Sequence, residues 1–175
     1  VLRSCDACGI QDIHIIENKN SHSLSSGVEL GTAQWLSRHR YRENENNTEA
    51  AISGLKKAGY RIVATTPHRN DTDPAGFNLE AGPVALLFGT EMQGLSQQAM
   101  DLADEYIRIP MFGFVESFNI SVSAAIIISR LVERLHDSNI AWHISEEERQ
   151  ILELEYLRNS VQHPEALERH FEQKA

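Results

Sequence analysis

Two cysteines in 175 residues, Cys5 and Cys8, are too few for a disulfide framework, and their scarcity predicts a reducing, cytoplasmic setting. Long hydrophobic runs are missing too. The longest, such as residues 124–128, fall far short of a bilayer's width, and no signal-peptide pattern opens the chain. Basic charge is in the minority: 16 Lys and Arg against 25 Asp and Glu give a net charge of −9, which argues against a general polyanion binder. No G-x-x-x-x-G-K-[ST] loop occurs, and Gly89 to Gly94 does not fit G-x-G-x-x-G, so kinase and dinucleotide readings fall. Without a G-x-S-x-G elbow a hydrolase triad has no anchor. The eight histidines are scattered with no H-x-x-x-H pair, and no metal site is expected. The pair in C-D-A-C has the spacing of half a zinc site, but no second pair exists. Two small residues at i and i+3 are better suited to packing a helix on a sheet.

What the chain has is an ordinary globular composition, 41% hydrophobic and 23% charged, in a length that suits one domain with a real core. Charge is uneven. Residues 133–175 hold ten acids and five bases, while bases gather in RHRYR (38–42), at Lys56 and Lys57, and at His68 and Arg69. These groups define either a local basic face or a solvated surface. The chain begins at Val1, within what reads as a helix, and is expected to be part of a longer polypeptide.

Along the chain, VLRSCDACGI predicts a short helix stopped by Gly9, DIHIIE a strand, and residues 18–27 an Asn- and Ser-rich loop. Alternation of Trp35, Ser37 and His39 suggests a second strand. NTEAAISGLKKAGY predicts an amphipathic helix capped by Thr48 and ended by Gly59. RIVATT, VALLFG and YIRIP read as buried strands, with a helix capped by Ser96 before the last of them. A long helix follows from about residue 120. Two more are predicted in the tail, capped by Ser145 and opened by Pro164. Strands alternating with helices predict an α/β domain on a parallel sheet.

In such sheets ligands bind at the carboxyl ends of strands. That rule selects three stretches: TTPHRND, FGTEMQG and IPMFGFVESFN. Within the first helix and these stretches the order and spacing of VLRSCDACGI, ALLFGTEMQGLS and IRIPMFGFVESFNISVSAA resemble the three successive motifs of the SpoU/TrmH family, in the SPOUT superfamily of RNA methyltransferases. The likeness runs over residues 1–135. ESFNISVSAA sets polar residues at the entrance of an apolar helix, where burial without partners is costly. The resemblance makes it a cofactor and catalytic loop.

The resemblance implies a parallel-sheet SPOUT fold ending in a deep trefoil knot over residues 1–135, with a helical C-terminal extension over 136–175. It implies transfer of a methyl group from S-adenosylmethionine to a ribose 2′-hydroxyl, by a homodimer, on tRNA (guanosine in the D-loop) rather than rRNA. Carried over motif by motif, the cofactor contacts are Thr65, Gly89, Gly94, Leu95, Ile109, Met111 and Phe118, the last standing where the family usually has Leu. The catalytic set is Arg3, Glu91, Ser117 and Asn119. Arginine is hard to deprotonate, so Arg3 is expected to orient phosphate and hydroxyl, with Glu91 organising either Arg3 or the loop. The family's upstream motif-one asparagine would precede Val1. The alternatives are the same chemistry on rRNA, a non-catalytic RNA-binding protein retaining the fold, and an unrelated ligand-binding α/β domain. The tail pattern Ile151, Leu152, Leu154, Glu155 and Leu157 suits packing on the core or on a second subunit.

Overall fold

Consecutive side chains of a strand leave on opposite faces, and β3 (Arg61–Thr65) shows what that does here. Ile62 joins Leu87, Ile52, Leu55 and Ala99 on one side, while Val63 joins Ile107, Ile127, Leu131 and Phe77 on the other. Both faces are therefore covered, which is why the strand reads as an unbroken apolar run. The computed structural model describes residues 1–18, 32–67 and 72–173. Residues 19–27 of the expected polar loop, and His22, His68 and Arg69, lie outside the described residues.

The elements are α1 (Leu2–Ala7), β1 (Asp12–Ile16), a 3-10 turn (Thr32–Trp35), β2 (Ser37–Tyr41), α2 (Asn47–Lys57), β3, β4 (Val84–Leu87), α3 (Gln97–Leu102), β5 (Glu105–Ile107), α4 (Ile120–His136), α5 (Glu146–Ser160) and α6 (Pro164–Glu172). Among the described residues all strand pairs are parallel and form two sheets, β1–β2 and β4–β3–β5, where a single sheet was expected. Side chains join the two: Ile13 of β1 and Leu86 of β4 both pack on the cluster of Cys5, Ala124 and Ile128, which seats α1 on α4. The helices α2 and α3 thus cover one face of the three-stranded sheet and α4 the other. Cys5 is buried in that seat and its thiol is pushed up in pKa, chiefly by burial. Both cysteines are free, as the packing interpretation requires.

Local signals set most element ends. Ser96 and Ser145 accept from Ala99 N and Glu148 N, and Glu148 returns the bond to complete a capping box. Gly9 and Gly59 take positive φ after their helices. Two expectations differ. The cap of α2 is Asn46, accepting from Glu49 N at 3.1 Å, and Thr48 lies inside the helix. Asn18 decides this: its amide donates to Thr48 Oγ1 at 2.8 Å and its carbonyl accepts from Asn47 N at 3.1 Å. The strand expected from Trp35 begins only at Ser37, because Trp35 closes the 3-10 turn and meets Tyr156 of α5 edge to face, 5.7 Å between centroids.

The RHRYR stretch is β2, and part of its charge is spent internally. Arg40 grips buried Glu17 through two bonds, 2.7 and 3.1 Å, and His39 meets Asp12 at 2.8 Å. Arg38 and Arg42 remain exposed. The tail departs from simple packing. Tyr156 and Asn159 attach α5 through Gln11 Oε1 (2.5 Å) and the Gln34 carbonyl (2.7 Å), yet Ile151, Leu154 and Leu157 are exposed. Among the described residues no helix is long and apolar enough to cross a membrane.

Candidate active site

At the carboxyl ends of β3 and β5 the chain opens a recess of ≈ 60 Å³, closed on its third side by the start of α4. Thr65 ends β3 and donates its hydroxyl to the Leu87 carbonyl at 2.7 Å, tying the ends of β3 and β4 together. Beyond β5 the chain pairs with a returning segment: Arg108 N donates to the Thr72 carbonyl at 3.1 Å, and Pro110 allows no further ladder donor. Residues 110–119 are thereby led away from the sheet and folded back to α4. Of the expected cofactor residues, Thr65, Ile109, Met111 and Phe118 line this recess, together with Ser117 of the expected catalytic set. Three separated stretches of sequence meet there.

Gly89, Gly94 and Leu95 lie outside that lining, at the end of β4. Their geometry has its own logic. A methyl on Gly89 would stand 2.0 Å from the Gly94 carbonyl carbon and 2.2 Å from Leu95 N, so the close approach here is of the chain to itself. Thr90 and Gly94 exchange two backbone hydrogen bonds, each 2.9 Å, with Gly94 at φ +67°. This tight turn holds Glu91 out toward α4.

Asn119 receives it. The Asn119 side chain caps α4 by accepting from Ser121 N at 2.8 Å, and its amide donates to Glu91 Oε1 at 2.5 Å. One carboxylate therefore locks the entrance of α4 to the turn after β4, linking the second and third motif stretches. Asn119 has one amide N–H left for a substrate. Glu91 organises the loop rather than Arg3, which is exposed on α1 and makes no side-chain hydrogen bond or ion pair among the described residues. The two meet the same helix all the same, because α1, which carries Arg3, packs on α4.

Sequence reasoning missed four lining residues of consequence: Thr66, Arg108, Ser123 and Ile127. Thr66 lies in the TTPHRND stretch that the rule of carboxyl ends selects, though it was not singled out, and Arg108 follows directly on the end of β5. Arg108 carries a buried Nε with no hydrogen-bond partner among the described residues. Among the described residues no three His, Cys, Asp or Glu side chains gather as a metal site would require.

A methyl-donor nucleoside suits the residues present. Apolar Ile109, Met111, Phe118 and Ile127, the hydroxyls of Ser117 and Ser123, and the unpaired Arg108 nitrogen offer surfaces for its apolar and charged parts. The volume is well below the roughly 300 Å³ of a pocket that encloses a whole drug-sized ligand. A recess of that size has room for one end of such a molecule.

Comparison with known proteins gives a consistent pattern. Residues 1–129 match the model of the SpoU rRNA Methylase family. The tRNA (guanosine(18)-2′-O)-methyltransferase of Borreliella burgdorferi is 39% identical over 171 residues, covering 95% of this chain and 74% of that protein. The enzyme of the same name from Thermus thermophilus is 33% identical over 73% of this chain and 63% of its own length. Among solved structures, the Aquifex aeolicus TrmH/SpoU tRNA modifying enzyme superposes with a TM-score of 0.74 at 26% identity, over 92% of this chain and 81% of that one. The SpoU methyltransferase AviRb from Streptomyces viridochromogenes, in complex with the cofactor AdoMet, gives 0.66 at 25% identity, over 79% of this chain and 55% of its own.

Proposed function

Because the chain belongs to the SpoU methylase family, we propose that it transfers a methyl group from S-adenosylmethionine to the ribose 2′-hydroxyl of guanosine 18 in tRNA. One observation carries the choice of substrate: the 39% identity to a tRNA (guanosine(18)-2′-O)-methyltransferase extends across 95% of this chain.

S-adenosylmethionine supplies the electrophilic methyl group. The protein's own work is to hold both reactants in line and keep the attacking oxygen oriented. Thr65, Ile109, Met111 and Phe118 hold the cofactor, with Gly89, Gly94 and Leu95 forming the adjoining wall. Arg3 stays protonated at any working pH, so it acts as a fixed cation that holds the RNA phosphate and turns the hydroxyl toward the methyl. Asn119 cannot serve as a base, since its carbonyl is committed to Ser121 N and one N–H to Glu91. It positions Ser117 and the substrate through the rigid start of α4. Glu91 is the positioning residue behind it.

The same reading includes a deep trefoil knot in residues 1–135, a helical extension in 136–175, and a homodimer. The TM-score of 0.74 supports the first. Exposed Phe112, Phe114, Val115 and Val122 beside the recess support the last, because a patch of that kind marks an interface.

The test is methyl transfer from labelled S-adenosylmethionine to unmodified tRNA and to rRNA. Label is expected at guanosine 18 of tRNA, lost when that ribose lacks its 2′-hydroxyl and greatly reduced by Arg3→Ala. Label on rRNA alone would move the substrate. No label on either, from folded protein, would favour an RNA-binding role.

A further inference from the structure

Two rows of stacked rings lie outside the recess, and they differ in what they leave open. After α4, Trp142 stacks on the imidazoles of His136 and His143, 4.3 and 3.9 Å between centroids, so its indole is occupied from within the chain. On β1–β2 the row runs His39–His14–Tyr41, with centroids 4.5 and 5.8 Å apart. His14 shares a hydrogen bond with the Tyr41 hydroxyl at 3.0 Å, and Asp12 holds the His39 ring at 2.8 Å. Burial, with His39 beside it, keeps the pKa of His14 below the usual histidine value. The stacking and hydrogen-bonding partners of His39 both lie on β1, and β2 pairs with no other strand among the described residues. The far side of the His39 ring therefore faces out from the sheet edge, and 47% of the side chain is exposed. A ring already fixed in place, with one face open, takes a further flat ring at little cost in side-chain entropy.

Charge beside the ring selects its occupant. Elsewhere cations are committed: Arg61 to Glu105 and the Asn78 and Gly82 carbonyls, Arg149 to Glu146 and Glu153, and Arg158 to Glu168. Arg38 and Arg42 are exposed and make no side-chain hydrogen bond or ion pair among the described residues, while Arg40 between them is held by Glu17. Glu43 and Glu45 follow only past the end of β2. We propose that the outer edge of β2 is a second RNA contact, where an unpaired nucleotide lays its base on His39 and Arg38 and Arg42 take the phosphates on either side. The proposal rests on the methyl-transfer reading and adds a contact to it, since no residue of β1 or β2 lines the recess. A base stacked on the outer face of His39 lies beyond the strand's edge, within reach of long arginine side chains that leave from the opposite face of β2. RNA is favoured over an added peptide strand because main-chain pairing along the edge would leave both cations unanswered. Stacking is tolerant of base identity, so this contact supplies affinity and leaves the choice of methylated nucleotide to the recess.

Binding of unmodified tRNA to the whole protein, followed by fluorescence anisotropy, tests this. His39→Ala is expected to weaken binding about fivefold to a hundredfold, the range of one base–aromatic stack, and His39→Phe to recover most of it because a ring remains. Replacing Arg38 and Arg42 together by Gln should weaken binding and flatten the slope of log affinity against log salt by about one to two units. In each variant KM for tRNA should rise with kcat near wild type, while S-adenosylhomocysteine affinity and melting temperature hold. His39→Ala that binds tRNA like wild type overturns the proposal. So does His39→Phe as weak as His39→Ala, which would make the bond to Asp12, and not the ring, the cause. Equal loss of tRNA and S-adenosylhomocysteine binding, with a lowered melting temperature, would make the row structural and also overturn it. Dissociation of a dimer with tRNA affinity intact would give the edge to a second copy, against the proposal. Wild-type protein that binds tRNA through His39 yet methylates no RNA would sustain this contact and overturn the methyl-transfer reading instead.

Discussion

Replacing Gly89 by alanine asks for space that the backbone already occupies. The added carbon would stand 2.0 Å from the Gly94 carbonyl carbon, 2.2 Å from Leu95 N and 2.3 Å from Gly94 O. Ordinary contacts begin at 3.4 Å, so the 90–95 turn must retreat by more than an ångström. No flexible side chain can absorb that shift. Overpacking of this kind costs about 1–3 kcal/mol, and losing the two Thr90–Gly94 hydrogen bonds adds about 1 kcal/mol each. The sum, about 3–5 kcal/mol, corresponds to a fall of roughly 6–20 °C in melting temperature for a chain of this size. Gly94→Ala is the control. It meets nothing within 4 Å and suffers only from φ +67°, which costs about 1–2 kcal/mol. Thermal unfolding followed by circular dichroism separates them. Gly89→Ala within about 2 °C of wild type, or Gly94→Ala the worse of the two, would refute the steric argument. The comparison also guards against a false inference: loss of cofactor binding in Gly89→Ala would report a displaced Glu91 turn as readily as a blocked ligand.

Asn119→Ala should lower stability by about 1 kcal/mol through the lost cap, whereas Asn119→Ser keeps a capping oxygen but releases Glu91. Both should lower methyl transfer by about tenfold to a hundredfold, the scale of a misplaced reactant, and normal turnover in either would remove the Glu91–Asn119 link from the mechanism. Partial burial works against ionisation of Asp104, but Lys56 Nζ at 2.5 Å, Ile62 N at 2.8 Å and nearby Arg61 outweigh it and hold the carboxyl below the usual aspartate value. Its contribution is therefore present above the unfolded value of about 3.9 and fades as pH falls through the folded value. The urea-midpoint gap between wild type and Asp104→Asn should narrow from pH 7 to pH 3; a constant gap would contradict this. Arg61→Met should cost about 2–3 kcal/mol in chemical denaturation, less than a fully buried pair would because Glu105 is partly exposed. A smaller loss than Glu105→Gln alone would show that the bonds to the Asn78 and Gly82 carbonyls contribute nothing.

The layered α/β plan was legible because its signals are local and agree with one another. Ser96, Ser145 and Pro164 mark helix starts within a few residues, and Arg61–Thr65 carries the apolar run of a strand covered on both sides. Where neighbours compete, the sequence is ambiguous. Asn46, Asn47 and Thr48 all suit a cap, and the choice among them is made by Asn18, some thirty residues earlier in the chain. Trp35 looks like a strand residue until Tyr156 is beside it. Motif resemblance found Thr65, Ile109, Met111, Ser117 and Phe118, because each belongs to a stretch with a recognisable pattern. Arg108 and Ser123 lie in the third of those stretches too, but only the folding of residues 110–119 back to α4 brings them to one recess.

The attachment of α5 to the first strand pair has a consequence during synthesis. Tyr156 closes on Gln11 across 145 positions, and Asn159 on Gln34 across 125. A ribosome adding about 5–20 residues per second exposes Gln11 roughly 7–30 s before its partner exists. Through that interval β1 and β2 must stand with the Trp35 ring uncovered, while the three-stranded sheet and α4 assemble around them. The clasp can form only after every strand and α4 have been made. By the same reasoning it is the first that a finished molecule can release without disturbing the sheets behind it.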